Sequence, residues 1–264
     1  MENKTVVFRG GGDVATGSIY RLHKAGFKVV VLEIEKPTVI RRTVSFAQAV
    51  FDGEITIEGV KGQLAKNVEN AKEILENSNI PVIIDPKGES IKELKPIAVV
   101  DGILAKKNLG TKIDMAPVVV GLGPGFEAGV DVNAVIETSR GHDLGRVILE
   151  GKTKPDSGVP GNIAGYSWER VIRSSCEGEV KHASKLGDIV KKGQVVMYVG
   201  DTEVLSPLDG CLRGLINEGT NVTEGFKIGD VDPRGIVDYC YTISDKARAI
   251  GGSVLEAIMY FINK

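Results

Sequence analysis

The first 120 residues alternate two patterns of apolar and polar positions. Short apolar runs, "TVVF" from Thr5, "KVVVLEI" from Lys28, "IPVIID" from Ile80, "PIAVVDG" from Pro96 and "APVVVGLG" from Ala116, lack the in-out alternation of a half-exposed strand. Such Val- and Ile-rich runs predict strands covered on both faces. Between them lie helix-like stretches such as "NVENAKEILENSN" from Asn67. Strand and helix in turn predict a parallel sheet with right-handed crossovers, an α/β, Rossmann-like domain.

The pattern changes near Gly121, where "GLGPGFEAG" opens a glycine-rich passage. Two strands, "NAVIET" and "GRVILEG", flank the turn "SRGHDLG", and a Pro/Gly loop then reads as a domain boundary. From Val171 to about Arg234, "GEVKHASKLGDIVKKGQVVMYV" and "GCLRGLINEGTNVTEGFKIGDV" align as imperfect copies. Gly178 matches Gly210, Gly187 matches Gly219, Val190 matches Val222 and Gly193 matches Gly225, all at one offset. The repeat predicts a small quasi-symmetric β domain resembling the barrel-sandwich hybrid of biotinyl and lipoyl carriers. No lysine lies between Lys192 and Lys227, so no covalent swinging arm is expected on the joining hairpin. A C-terminal helix follows, capped by Ser244 and carrying Leu255, Ile258, Met259 and Ile262 on one face. The expected organisation is therefore residues 1–168 as the α/β domain, 169–235 as the β domain and 236–264 as a helix packed on the α/β domain.

Composition then removes several classes of function. A net charge of −2 over 264 residues gives no footprint for nucleic acid, and no basic run is long enough to hold an anionic membrane. No uncharged run reaches spanning length, and the N-terminal "MENKTVVF" has no signal-peptide core, so a cytoplasmic protein is expected. Cys176, Cys211 and Cys240 are far apart in the chain and form no C-x-x-C, which predicts reduced, buried thiols. No H-E-x-x-H, nucleophile elbow or Walker A is present, and no metal site is expected.

Candidate chemistry gathers at glycines. Gly10, Gly12 and Ala15 fit the G-x-G-x-x-G/A spacing after a strand and before a helix, a context in which main-chain N–H groups meet a phosphate, the alternative being a tight strand-to-helix turn that binds nothing. Asp13 reads as the helix N-cap, with Thr16 and Gly17 beside the phosphate. Glu33 ends the next strand about 20 residues on, where a ribose hydroxyl acceptor belongs, so NAD or another nucleotide without a 2′-phosphate is the expected cofactor. Arg41 and Arg42 could reverse that preference, hold a substrate phosphate or be solvated at the surface. Gly121, Gly123 and Gly125 repeat the logic after a second strand, facing the first loop across a cleft, or they form a rigid turn stiffened by Pro124. Arg140, His142 and Lys106 are candidates for anion binding and proton transfer, with surface roles as the alternatives; Asp101 and Lys106 could pair as acid and base.

Longer strings carry a resemblance. "RGGGDVATG", "IEGVKGQ", "APVVVGLGPGFEAGVDVNAVIETSRGHDLGRVI", "SGVPGNIAGYSWERVIR", "KIGDVDPRG" and "ISDKARAIGGSVLEAI" together resemble the selenium-dependent molybdenum hydroxylase accessory proteins over essentially the full length. The resemblance implies a maturation factor rather than the hydroxylase, with that hydroxylase or its other maturation factors as partners. An NAD(P)-dependent oxidoreductase and a non-catalytic scaffold are the alternatives, and the assembly state, monomer or homo-oligomer, stays open.

Overall fold

A computed structural model describes residues 4–264, so the first three residues of the expected first domain lie outside it. The chain divides into two compact units. Among the described residues, unit 1 comprises 4–37, 45–157 and 243–264, and unit 2 comprises 38–44 and 158–242.

Unit 1 holds a nine-stranded sheet built from β1 (Thr5–Arg9), β2 (Lys28–Glu33), β3 (Glu54–Ile57), β4 (Val60–Ala65), β5 (Ile80–Ile84), β6 (Ala98–Asp101), β7 (Val118–Leu122), β8 (Ala134–Ile136) and β9 (Val147–Ile148). Their order is β3-β4-β5-β2-β1-β6-β7-β8-β9, parallel from β4 to β8, with antiparallel β3 and β9 at the edges. Its helices are α1 (Asp13–Lys24), α2 (Ala49–Asp52), α3 (Val68–Glu76), α4 (Ile91–Leu94) and α5 (Asp245–Ile262).

The predicted runs are buried on both faces for a definite reason. Val6, Phe8, Val29, Val31, Val100 and Val120 pack with α1 and α5, whereas Val7, Val30, Leu32, Val99 and Val119 pack with α3 and α4. Successive residues of one strand serve opposite layers, so neither parity can be polar.

The C-terminal helix packs on α1 within unit 1, with its buried stripe shifted from the expected one. Ala247, Ile250, Gly251, Ser253, Val254, Ala257 and Ile258 are the buried positions, while Leu255, Met259 and Ile262 are only partly covered. The shift follows from close backbone approach to α1: a Cβ on Gly17 would overlap Ala247 O, and one on Gly251 would lie 2.5 Å from Gly17 O.

Unit 2 carries two four-stranded sheets, β10-β17-β15-β12 and β14-β13-β11-β16. Their strands are β10 (Val171–Arg173), β11 (Gly178–His182), β12 (Ile189–Val190), β13 (Val195–Val199), β14 (Thr202–Leu205), β15 (Gly210–Leu215), β16 (Asn221–Val222) and β17 (Lys227–Asp232). The repeat appears directly in the pairing. Gly178 of β11 faces Val222 of β16, and Gly210 of β15 faces Val190 of β12, so each copy's long strand takes the short strand of the other copy. Gly187, Gly219, Gly193 and Gly225 all have positive φ, +94°, +75°, +82° and +77°, the turn conformation that makes glycine recur at those places.

The expected organisation changes in three places. The division falls at Ser157/Gly158 rather than after residue 168; residues 236–242 stay with unit 2; and residues 38–44 join unit 2 although they lie between β2 and α2. That last segment is drawn in by main-chain pairing, since the Leu215 N–H donates to Ile40 O at 2.8 Å. Arg41 and Arg42 complete the attachment. Arg41 Nη2 donates to Tyr239 O and Thr242 O, and Arg42 donates to Leu215 O and Asn217 Oδ1. Arg41 is buried, which corrects the surface-solvation reading, and both side chains hold the segment in unit 2.

Candidate functional site

In a parallel sheet all carboxyl ends lie along one edge, and the loops that leave them converge there. In unit 1 this edge carries Glu33, Gly10 to Asp13, Asp101 to Lys107, Gly121 to Phe126 and Glu137 to Arg140, held in register by Arg9 opposite Asp101 and Asp101 opposite Gly121.

The first glycine loop approaches the chain itself. Gly10, at φ +89°, gives its N–H to Leu32 O at 2.8 Å, and a Cβ there would lie 3.0 Å from Ile103 backbone. Gly11 donates to Glu33 Oε1 at 2.6 Å, and a Cβ would lie 3.0 Å from Ala47 N. Thr16 Oγ1 bridges Gly11 O and the Phe46 N–H, and Gly17 faces α5. Neither Thr16 nor Gly17 therefore takes the phosphate-side position expected of it. Asp13 is the first helical residue rather than the cap, a place filled by Gly12 at φ −62°, ψ 172°.

Glu33 is buried and accepts a second N–H, from Ile34 at 3.1 Å. Burial raises its pKa, against the two N–H bonds, which lower it. The Gly10 and Gly11 N–H groups, expected to meet a pyrophosphate, instead serve Leu32 O and Glu33.

The second loop is used likewise. A Cβ on Gly121 would lie 2.5 Å from the Phe126 ring, on Gly123 2.7 Å from Thr138 Oγ1, and on Gly125 2.7 Å from Lys107 backbone. Gly10 abuts Ile103 and Gly125 abuts Lys107, so the segment leaving β6 runs from one loop to the other.

The proton-transfer candidates also separate. Asp101 is buried with Arg9 at 3.5 Å and Thr111 Oγ1 at 2.5 Å, whereas Lys106 lies in a loop, not on a helix, and pairs with Asp156 at 2.7 Å. Asp101 and Lys106 thus take different partners. His142 is exposed in its turn. Arg140 holds Asp245 through two bonds of 2.8 and 3.0 Å at the start of α5.

Sequence reasoning missed Lys246. It is half-buried in the first turn of α5, where burial lowers its pKa and Arg140 lowers it further, while Asp13, Glu137 and Asp156 oppose the shift. Groups from the start of α1, the exit of β8 and the loop ending unit 1's second segment thus act on one amine. A signal did exist in "SDKARAIGG": a lysine in a first helical turn sits against the helix dipole and calls for a reason. An amine kept half out of water beside the first turns of two helices can hold an anionic group. Among the described residues no His, Cys, Asp and Glu cluster suited to a metal ion occurs.

Comparison with known proteins adds one close relative. No family model matches. The uncharacterized protein YqeB of Escherichia coli (strain K12) is 55% identical over 262 residues, covering 99% of this chain and 48% of that protein. The chain thus spans about half the length of the curated relative it matches. Among solved structures, a succinylglutamatedesuccinylase/aspartoacylase from Rhodobacter sphaeroides aligns at 14% identity, TM-score 0.28, over 87% of this chain and 85% of that one. The product-bound ectoine utilization protein EutE (DoeB) from Ruegeria pomeroyi aligns at 11% identity, TM-score 0.25, over 86% and 56%. At such TM-scores neither fold nor activity transfers. No helix among the described residues is long and apolar enough to cross a membrane.

Proposed function

We propose that this chain is a cytoplasmic accessory factor in the maturation of a selenium-dependent molybdenum hydroxylase, and that it binds a nucleotide or nucleotide-bearing cofactor at the carboxyl edge of unit 1. The maturation role rests on the sequence resemblance. The binding role is supported by one observation: Lys246 is half-buried in the first turn of α5, whose first residue Asp245 is bound by Arg140 at the carboxyl edge where an open α/β sheet receives its ligand. In this reading unit 1 is Rossmann-like in architecture but not in its contacts. The phosphate is held by Lys246 and the first turn of α1 at Gly12 and Asp13, with Arg140 beside it, and the Gly10 and Gly11 N–H groups take no part. Unit 2, with its exchanged short strands, is a barrel-sandwich-hybrid-like module that docks on the hydroxylase or another maturation factor.

Thermal unfolding of the full chain with NAD, ATP, CTP and GTP tests the binding role. A nucleotide at about a hundred times its dissociation constant adds about 2.7 kcal/mol to folding, a readable rise in Tm. No rise with any nucleotide would reject it. The maturation role requires that cells lacking this chain accumulate the hydroxylase polypeptide without its activity; full activity in such cells would reject it.

A non-catalytic scaffold is the second reading, favoured by the contacts of Gly11, Gly17, Gly121 and Gly125 with the chain's own atoms. It predicts hydroxylase binding with no nucleotide effect.

A further inference from the structure

Two of the three cysteines, distant in sequence, meet in unit 2. Cys211 lies on β15 and Cys240 ends the single turn Val237–Cys240, and their sulfurs are 3.4 Å apart, both fully buried. Cys176 is elsewhere, its Sγ directed at Val199 O.

The surroundings distinguish the two thiols. Arg213, paired with Asp232 at 3.2 Å, also donates through Nε to Tyr239 O, and Arg41 donates to Tyr239 O and Thr242 O. Two buried guanidinium groups therefore grip the main chain on both sides of Cys240. Thr43 Oγ1 holds the Cys240 carbonyl itself at 2.5 Å. Burial pushes both thiols up, Cys211 to about 12, whereas the Cys211 contact and then Arg213 and Arg41 pull Cys240 back. The strap that carries Cys240 is an outer layer, with Val237, Tyr239 and Tyr241 exposed.

We propose that Cys211 and Cys240 form a reversible dithiol–disulfide pair, with Cys240 as the attacking thiol, that fastens the 237–240 strap to β15. Closing the bond brings the sulfurs from 3.4 Å to about 2.05 Å, a short movement for a one-turn strap. The co-reactant is a small disulfide such as oxidised glutathione, which enters when the strap lifts. Cys240 thiolate attacks one of its sulfurs, its S–S bond breaks, and one glutathione leaves as thiolate and takes up a proton. Cys211, losing its proton to solvent, then attacks the Cys240 sulfur of the mixed disulfide and expels the second glutathione. Two protein thiols become one disulfide while one oxidised glutathione becomes two reduced molecules.

The test uses the full-length chain equilibrated in glutathione buffers of increasing oxidised fraction, quenched by acid and alkylation and digested for peptide mass spectrometry. The expected result is a Cys211–Cys240 linked peptide that grows with the oxidised fraction, reverts in reduced glutathione and leaves Cys176 alkylated. Cys211→Ser should trap a glutathione on Cys240. Two results would overturn the proposal: both thiols remaining free across the series unless the chain is first unfolded in urea, or a disulfide that uses Cys176. The wild-type series decides the matter even where a variant folds poorly.

Discussion

Gly17 shows at the scale of one residue how a motif position can be occupied by packing. Its place in "RGGGDVATG" suits a phosphate, yet its missing side chain is what lets α5 lie against α1. Gly17→Ala should cost about 1–3 kcal/mol, the usual penalty for overpacking a tight core, read as a lower urea midpoint at unchanged slope. An unchanged midpoint would mean that the two helices are not in backbone contact. Glu33 makes a second test. Its folded pKa is raised above the unfolded value near 4.5, so its contribution to stability is fully present below that pH and is lost as pH rises through the folded pKa. Relative to wild type, Glu33→Gln should therefore gain stability on going upward from about pH 4.5, in unfolding curves measured across that range. A pH-independent difference would show that Glu33 is as ionised in the folded chain as in the unfolded one. The spacing of Glu33 was legible in the sequence. Its partner was not, because the choice between a ribose hydroxyl and the Gly11 N–H depends on how the loop closes.

At the scale of elements, the apolar runs and the two-copy repeat were legible because burial on both faces and recurring positive-φ glycines leave direct marks on residue choice. The antiparallel hairpin of β3 and β4 was not, since "EITIEGVKGQLA" mixes apolar and polar positions at the edge of a sheet. The allegiance of residues 38–44 was equally hidden, resting on Ile40 and Arg42 meeting β15 and Arg41 meeting Tyr239 and Thr242, all far along the chain. The stretch 155–168 between α/β strands and β unit is exposed along most of its length and has almost no regular structure. Dilute subtilisin should cut there first, with both fragments still co-eluting with native-like circular dichroism; first cleavage inside α1 or β15 would contradict the division of the chain into these units.

For the whole molecule, function turns on whether Lys246 is held half out of water for a ligand. A lysine whose folded pKa is lowered costs stability while protonated, and the cost is relieved as pH rises from the folded pKa toward 10.5. Replacing it with an apolar side chain of similar length should leave the free protein at least as stable at pH 7, so loss of binding in that variant would not come from unfolding. The sequence did not reveal this residue, because the charges of Asp13, Glu137 and Asp156 that act on it come from three separate parts of the chain. The most direct measurement is isothermal titration of the nucleotide that gives the largest rise in Tm into wild type and Lys246→Met, with the Tm of each free protein recorded alongside. The predicted result is a loss of affinity of at least tenfold, about 1.4 kcal/mol, with an equal or higher Tm in the variant. Unchanged affinity in a folded variant would contradict the placement of the ligand at the carboxyl edge beside α5.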